Sequence, residues 1–219
     1  MKNIFLLIAF ALLVFPVAGL GAPERRNQDM KLPTQKLLES QLISDASTAD
    51  ADGILDGHQG ATSAAAATVT SFLAQPDVPR NITVLPNWST GDVAAGDVVV
   101  SGTDIRGQSI SETFSFLANA STVVTGAKAF KSITSIVFPA EDSPFDAQWD
   151  VGWGNKLGLE KCMDSAGEFI KAHISGTAET VTVTASDSVL ASNGFTPTNT
   201  PNAARDYQVY YIQNFRCLP

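Results

Sequence analysis

The stretch from Gly96 to Phe138 constrains the fold of this chain most, because it alternates short β-rich runs with turn residues. Its runs of Val, Ile, Thr and Phe are separated by Gly, Asp and Asn, a pattern typical of antiparallel strands joined by tight turns. The clearest hairpin runs from Asp97 to Phe116, and the segment from Gly102 to Gly107 supplies its turn residues. The sequence therefore predicts a β-meander.

The second strand of this hairpin separates apolar side chains from hydroxyl side chains, so one face suits a core and the other suits water. The apolar face consists of Ile110, Phe114 and Phe116. Glu112 is an exception, because strict alternation would place its carboxylate among the Phe rings. Either it lies at a strand edge or bulge that turns it outward, or it is buried and paired with Arg106 or Lys128.

Similar runs continue along the chain and indicate about nine or ten strands with very little helix. Besides the meander, the predicted strands are Ala67–Leu73, Asn81–Leu85, Gln148–Trp153, Glu168–Ile174, Thr180–Thr184 and Tyr207–Ile212. In the Glu168 run, alternation points Ile170, Ala172 and Ile174 inward and His173 outward. We expect an all-β fold, an antiparallel β-sandwich that is immunoglobulin-like or jelly-roll-like, in residues 61–219.

Residues 1–21 are arranged like a signal peptide, with a basic start, an apolar run from Ile4 to Ala18 and small residues after it. The run is too short for a comfortable permanent membrane anchor. Three alternatives stay open: a cleaved export signal, a retained arm that faces lipid or lies buried in an oligomer, and a start codon assigned too early.

Residues 22–60 are predicted to form an N-terminal arm, helical or extended, followed by an acidic loop. Thr34–Ile43 has a short helical pattern, capped by Thr34, that needs a partner surface on its own domain or on a neighbouring subunit. Asp45–Asp56 concentrates carboxylates around a glycine, as calcium loops do. An EF-hand register would place Gln59 where the bidentate Glu belongs, which favours an acidic surface turn.

Four blocks of the sequence together resemble a family of small β-rich structural proteins of tailed bacteriophages. They are Gln75–Ile82, Gly102–Thr113, Gly126–Ile136 and Val151–Leu159, and the similarity extends over roughly residues 50–212. The resemblance implies a head-decoration or minor capsid role. It implies no active-site residues, because none of the four blocks is a catalytic motif.

The residues themselves argue against an enzyme and against nucleic acid as a partner. Only 2 His residues are present to act as bases, and no phosphate-binding loop, zinc-helix motif or cysteine pair at metal spacing occurs. The net charge of −8 argues against nucleic acid as a partner, because binding to a phosphate backbone needs a positively charged surface. We expect no catalytic residues, no cofactor and no metal.

Five residues are candidates for structural or interface roles. Cys162 and Cys217 predict a disulfide if the chain is exported, and free thiols if it assembles in a cytoplasm. Trp149 and Trp153 lie on one strand face and could form a core edge, a subunit interface or an aromatic platform for a sugar. Arg80 is expected to form a structural ion pair, with Asp77 as its candidate partner, although a binding role is the alternative.

Two function hypotheses follow. The first is a non-enzymatic virion structural protein that stabilises or decorates a phage-like capsid, contacting copies of itself and another particle protein. The second is an exported β-sandwich binding module or an extracellular filament or surface-layer subunit. The corresponding locations are the virion and the extracellular space, and membrane contact is expected only through residues 1–21.

Overall fold

The computed structural model describes residues 36–61, 65–87, 95–141, 147–214 and 217, all within one compact unit that spans Thr34–Pro219. The signal-peptide-like segment 1–21 lies outside the described residues. Two short 3-10 helices, Ala166–Glu168 and Leu190–Ser192, are the helical elements of the described part. The strands of that part are β1 (Leu37–Ile43), β2 (Asp50–Gln59), β3 (Ala67–Val69), β4 (Arg80–Asn87), β5 (Gly96–Thr103), β6 (Ser109–Phe116), β7 (Val124–Phe130), β8 (Ser132–Phe138), β9 (Gln148–Gly158), β10 (Phe169–Ile174), β11 (Thr177–Glu179), β12 (Val181–Thr184), β13 (Gly194–Pro197) and β14 (Tyr207–Gln213).

The strands form three sheets, which we name by position. The terminal sheet has the order β1-β14-β10-β11, and the meander sheet has the order β3-β8-β5-β6. The central sheet has the order β12-β13-β9-β4-β7, with β2 also paired to β9. All of the pairings are antiparallel, and the sheets stack in a sandwich-like arrangement, so the predicted all-β antiparallel sandwich is confirmed.

The predicted hairpin is present as β5 and β6, which pair from Gly96↔Phe116 to Thr103↔Ser109. Its turn is closed by the Asp104 carboxylate, which accepts the backbone N–H groups of Arg106 and Gln108 at 2.8 and 2.9 Å. Gly107 has a φ of +79°, a conformation that a residue without Cβ adopts readily. The turn residues Asp104 and Gly107, which the sequence analysis identified, therefore set the register of the β5–β6 pair.

Strand β9 organises the packing, because its apolar side chains enter two separate cores. Trp149, Val151 and Trp153 belong to the first core, which lies between the central and meander sheets. Further along the same strand, Leu157 belongs to the second core, which the terminal sheet covers with Tyr207 and other side chains. One long strand thus joins both halves of the sandwich.

Two predictions for the N-terminal part were wrong. The segment Leu37–Ile43 is a strand, β1, and not a helix, because β14 offers it a complete antiparallel partner from Leu37↔Gln213 to Ile43↔Tyr207. A single short helix is marginal in water, whereas strand pairing satisfies the backbone along its length. The acidic segment is also no simple turn, since Asp50–Gln59 forms β2 and pairs irregularly with β9.

Two further details differ from the expected pattern. The predicted strand Ala67–Leu73 is shorter than expected, since β3 extends only from Ala67 to Val69. In β10, Ile170 is 53% exposed and does not point inward, because the register of the β10–β14 pair shifts between Phe169 and Lys171. This bulge inserts an unpaired residue and interrupts the alternation that the sequence suggests. Beyond it, Ala172 is buried as expected.

Candidate assembly surface

Strand β1 is a long sheet edge with an apolar outer face. It pairs with β14 on one side, and the terminal sheet ends at β1 among the described residues. Leu38 is 64% exposed and Leu42 is 58% exposed. Soluble proteins usually protect long edge strands with Lys, Pro or bulges, because an unpaired edge can recruit another strand. Between Leu37 and Ile43 the only charge is that of Glu39, and no Lys or Pro occurs.

The inner face of β1 is fixed by buried polar and apolar contacts. The Gln41 side chain is 6% exposed, donates to the Gly158 carbonyl at 3.3 Å and accepts the Glu160 backbone N–H at 3.0 Å. The Tyr211 hydroxyl donates to the same Gln41 side-chain oxygen at 3.3 Å. Burial raises the pKa of Tyr211, so its proton stays in place to donate that bond. Because Gln41 is held inward, Leu38, Ser40 and Leu42 must face outward.

The neighbouring strands extend this outer face. Leu38 lies opposite Ile212, and Ser40 lies opposite Tyr210. The Tyr210 ring carries the Lys171 ammonium 4.8 Å from its centroid. We define the assembly face as the outward side chains of these two strands: Leu38, Ser40, Leu42, Gln208, Tyr210 and Ile212. Its apolar side chains flank a polar centre, where the Gln208 amide donates to the Ser40 hydroxyl at 2.7 Å. The Lys171 ammonium lies at its border.

The sequence of β1 is nearly symmetrical in character about Ser40. Reading outward from Ser40, each side meets one amide or acid side chain and then two aliphatic side chains. The two halves are Leu37-Leu38-Glu39 and Gln41-Leu42-Ile43. A strand of this kind is complementary to an antiparallel copy of itself, because each apolar residue would meet an apolar residue.

Two other long edge strands of the described sheets, β6 and β7, contact each other. Strand β6 ends the meander sheet and β7 ends the central sheet, and Glu112 of β6 bridges them. Its carboxylate accepts the backbone N–H of Ala127 at 2.6 Å and that of Lys128 at 3.2 Å. Glu112 therefore lies on an edge strand, as one of the two interpretations predicted, and its carboxylate accepts hydrogen bonds from backbone N–H groups of β7. The Lys128 ammonium donates instead to the Ser111 carbonyl at 2.6 Å.

Arg80 is fully buried and holds a loop in place. Its guanidinium donates to the Ser47 and Thr48 carbonyls and lies 3.6 Å from the Asp77 carboxylate. The expected structural ion pair with Asp77 is therefore present. Burial lowers the pKa of Arg80, and the Asp77 charge opposes that effect. With no exposed surface, Arg80 offers nothing to a partner in this conformation.

The two tryptophans are core residues with different surroundings. Trp149 is 0% exposed and packs edge-on against Phe116, with ring centroids 5.3 Å apart. Trp153 is 8% exposed, and its indole N–H donates to the Thr48 carbonyl at 3.2 Å. Trp149 cannot serve as an open platform for a sugar, whereas Trp153 borders a groove on the central sheet.

Cys162 and Cys217 form a disulfide, as predicted for an oxidising compartment. Cys162 is fully buried just after β9, and Cys217 follows β14. The Asn214 backbone N–H also donates to the Cys162 carbonyl at 2.7 Å, which forms an isolated β-bridge. The bond therefore fixes the end of the strand that carries half of the assembly face.

Within the described ranges, no three His, Cys, Asp or Glu side chains converge in a way that could hold a metal ion. The part of the chain that the structure describes also contains no helix long and apolar enough to cross a membrane.

The assembly face was not identified from the sequence, because Leu38 and Leu42 are four residues apart and imitate a helical stripe. The sequence feature that would have identified the assembly face is the near symmetry of residue types on the two sides of Ser40. Comparison with protein-family models, with curated proteins and with solved structures finds no match for this chain.

Proposed function

We propose that this protein is a non-enzymatic structural subunit that associates with copies of itself through β1 and thereby builds or decorates a larger assembly. The observation that carries the proposal is the exposed apolar stripe of Leu38 and Leu42 on a long, unprotected sheet edge. Buried apolar surface is the main driving force of association, and an open edge supplies backbone hydrogen bonds in addition.

The proposed contact is an antiparallel β1–β1 pair related by a two-fold axis at Ser40. In this register Leu38 lies opposite Leu42 of the second copy, Leu37 lies opposite Ile43, and Glu39 lies opposite Gln41. No like charges face each other directly. A two-fold axis uses the same patch on both subunits, which is the commonest form of homo-oligomer.

Self-association is tested by sedimentation velocity of the full chain over a range of concentrations. One strand pair is a small interface, so we expect a dimer that dissociates in the micromolar range. The Leu38→Ser/Leu42→Ser variant should be monomeric, since it removes the apolar stripe and leaves Gln41 in place. Leu73→Ser/Leu117→Ser is the matched control, because these leucines are 70% and 80% exposed outside β1. A monomeric wild-type chain, or equal dissociation of the control, contradicts the proposal.

For the location we propose the surface of a phage-like particle, where the subunit would stabilise or decorate a capsid. The resemblance of the four sequence blocks to head-decoration and minor capsid proteins supports this choice. If the proposal is right, the chain sediments with purified particles at a fixed copy number and keeps its full N-terminus in an intact-mass measurement.

The disulfide favours a second candidate, an exported subunit of an extracellular filament or surface layer. A bond between buried Cys162 and Cys217 persists where the surroundings are oxidising. In this case the mature chain lacks about the first 21 residues, and its mass is 2 Da lower than that of the reduced form. Absence of the chain from particles, together with that processed mass, selects the exported subunit over the virion component.

A further inference from the structure

A lysine and an asparagine lie where the β1–β14 pair ends. The last pair of this ladder is Leu37↔Gln213. Lys36 directly precedes β1 and Asn214 directly follows β14, so the two residues occupy the next positions of the register. Residues opposite each other in an antiparallel pair point to the same side, with Cβ atoms about 4.5–5.5 Å apart. The side chains of Lys36 and Asn214 therefore extend into the same surroundings.

A single carboxylate contacts both side chains. The Asn214 amide donates from Nδ2 to Oδ1 of Asp164, and the Lys36 ammonium lies 3.6 Å from Oδ2 of the same group. Asn214 is held at this place, since it is 3% exposed and its backbone N–H donates to the Cys162 carbonyl at 2.7 Å. Asp164 is therefore placed to carry a proton from the lysine nitrogen to the amide nitrogen.

A second carboxylate is placed to accept a proton from the lysine. The Lys36 ammonium donates to Oε1 of Glu168, which is 7% exposed. The other oxygen, Oε2, accepts the Asp164 backbone N–H at 2.6 Å, so the two acids are fixed relative to each other. Because charges are costly to bury, burial of Glu168 favours transfer of one proton to it from Lys36. That transfer leaves a neutral amine, the nucleophilic form of lysine.

We propose that Lys36 and Asn214 join in an intramolecular isopeptide bond, with Glu168 and Asp164 as the proton carriers. The neutral Nζ attacks Cγ of Asn214 and forms the new C–N bond. Asp164 takes a proton from Nζ and gives one to Nδ2, whose bond to Cγ then breaks. The leaving ammonia takes up the proton held by Glu168 and departs as ammonium, so both carboxylates are restored. Each chain reacts once, without turnover.

The charge on Lys36 sets the pace of this reaction. The Lys36 side chain is 47% exposed, and its pKa is raised chiefly by the hydrogen bond to Glu168 and also by the charge of Asp164. The neutral amine is therefore a minor form at neutral pH, and its share grows as pH rises. Positioning compensates in part, because reacting groups that are held together behave as if highly concentrated. We expect the bond to form slowly at neutral pH and faster at alkaline pH.

The isopeptide bond would fasten β1, the first described strand, to β14, the last one. It would lie at the same end of β14 as the disulfide, which fastens Cys217 to Cys162. A subunit of a particle or filament would gain resistance to separation of its terminal strands. The bond needs only one copy of the chain, so it does not depend on self-association through β1.

The test is the intact mass and the tryptic map of the full chain, measured after purification and after incubation at about pH 7 and about pH 9. Loss of ammonia should lower the mass by about 17 Da, with a faster loss at the higher pH. Trypsin does not cleave after an acylated lysine, so residues 32–80 should be recovered as one peptide joined to residues 206–216.

Three variants identify the groups that react. Lys36→Arg keeps the positive charge without the amine, and Asn214→Ala removes the amide, so both should keep the mass of the unlinked chain. Glu168→Gln should form the bond about a hundredfold more slowly or less, the effect of one general base. Lys171→Arg is the matched control, because the Lys171 ammonium lies over the Tyr210 ring on the neighbouring strand pair. This control should cross-link as the wild-type chain does.

Four results would overturn the proposal. The first is an unchanged mass under all of these conditions. The second is a loss of about 17 Da within a single unlinked peptide, which is the mark of an asparagine that cyclises alone. The third is a cross-link that persists in Lys36→Arg, and the fourth is a wild-type rate in Glu168→Gln.

Discussion

Reduction of the disulfide should lower the stability of this fold by an amount that follows from its position in the chain. Cys162 and Cys217 are 55 residues apart, so the bond closes a long loop in the unfolded chain. In the chain-entropy description, a loop of this length removes about 14 cal/mol/K from the unfolded state, or about 4 kcal/mol at 25 °C. For a unit of this size, that difference corresponds to a melting temperature lower by about 8–16 °C.

The measurement is urea unfolding of the wild-type chain with and without a phosphine reductant. Cys162→Ala/Cys217→Ala serves as the comparison, since alanine keeps the buried Cys162 site apolar. We expect the reduced wild type and the alanine variant to match each other in unfolding free energy. The m-value should also rise on reduction, because the unfolded chain becomes more extended. A loss below about 1 kcal/mol would refute the claim that this bond constrains the unfolded chain as the entropy model requires.

Two other predictions concern backbone approach and charge. Gly152→Ala should cost about 1–3 kcal/mol of unfolding free energy, because its Cβ would lie 1.8 Å from the Asp50 carbonyl oxygen. Gly167→Ala is the control and should be nearly neutral, since the closest atom to its Cβ would be 3.7 Å away. Equal effects of the two substitutions in thermal unfolding would contradict this prediction. Burial alone would raise the pKa of Asp77, but backbone N–H donors and the Arg80 charge together lower it. The ionised Asp77 carboxylate therefore stabilises the fold fully above about pH 4, and this contribution is lost as pH falls through the lower pKa of the folded state. Asp77→Asn should make the unfolding free energy less dependent on pH below about pH 4. An unchanged pH dependence would count against the Arg80 pair.

The meander could be predicted because its turn residues and its period-two pattern act locally. In β6, Phe114 and Phe116 alternate with hydroxyl residues and are buried. In β5, Val98 and Val100 share the buried face. Strand β14 was predicted for the same reason, since its alternate residues from Tyr207 to Gln213 are buried. Where local preference and tertiary pairing agree, the sequence is sufficient.

The N-terminal part could not be predicted, because tertiary pairing decides its structure. The leucine spacing in Leu37–Ile43 is helix-like, but the segment forms a strand because it pairs with β14, which lies far along the chain. A groove on the central sheet is a similar case. Only the antiparallel pairing of β4 with β9 places Thr83 and Asn155 along the same groove. Local pattern carries no information about such distant contacts.

The most direct test of β1 self-pairing is a cross-link at Ser40, the residue placed on the proposed two-fold axis. Directly opposite residues of an antiparallel pair have Cα atoms about 4.5–5.5 Å apart, which lies within the range that a disulfide spans. Ser40→Cys in the full chain should therefore form a covalent dimer under mild oxidation, whereas Thr113→Cys, which is also exposed but lies on the meander sheet, should not. A Ser40→Cys chain that stays monomeric on a non-reducing gel would contradict the proposed pairing.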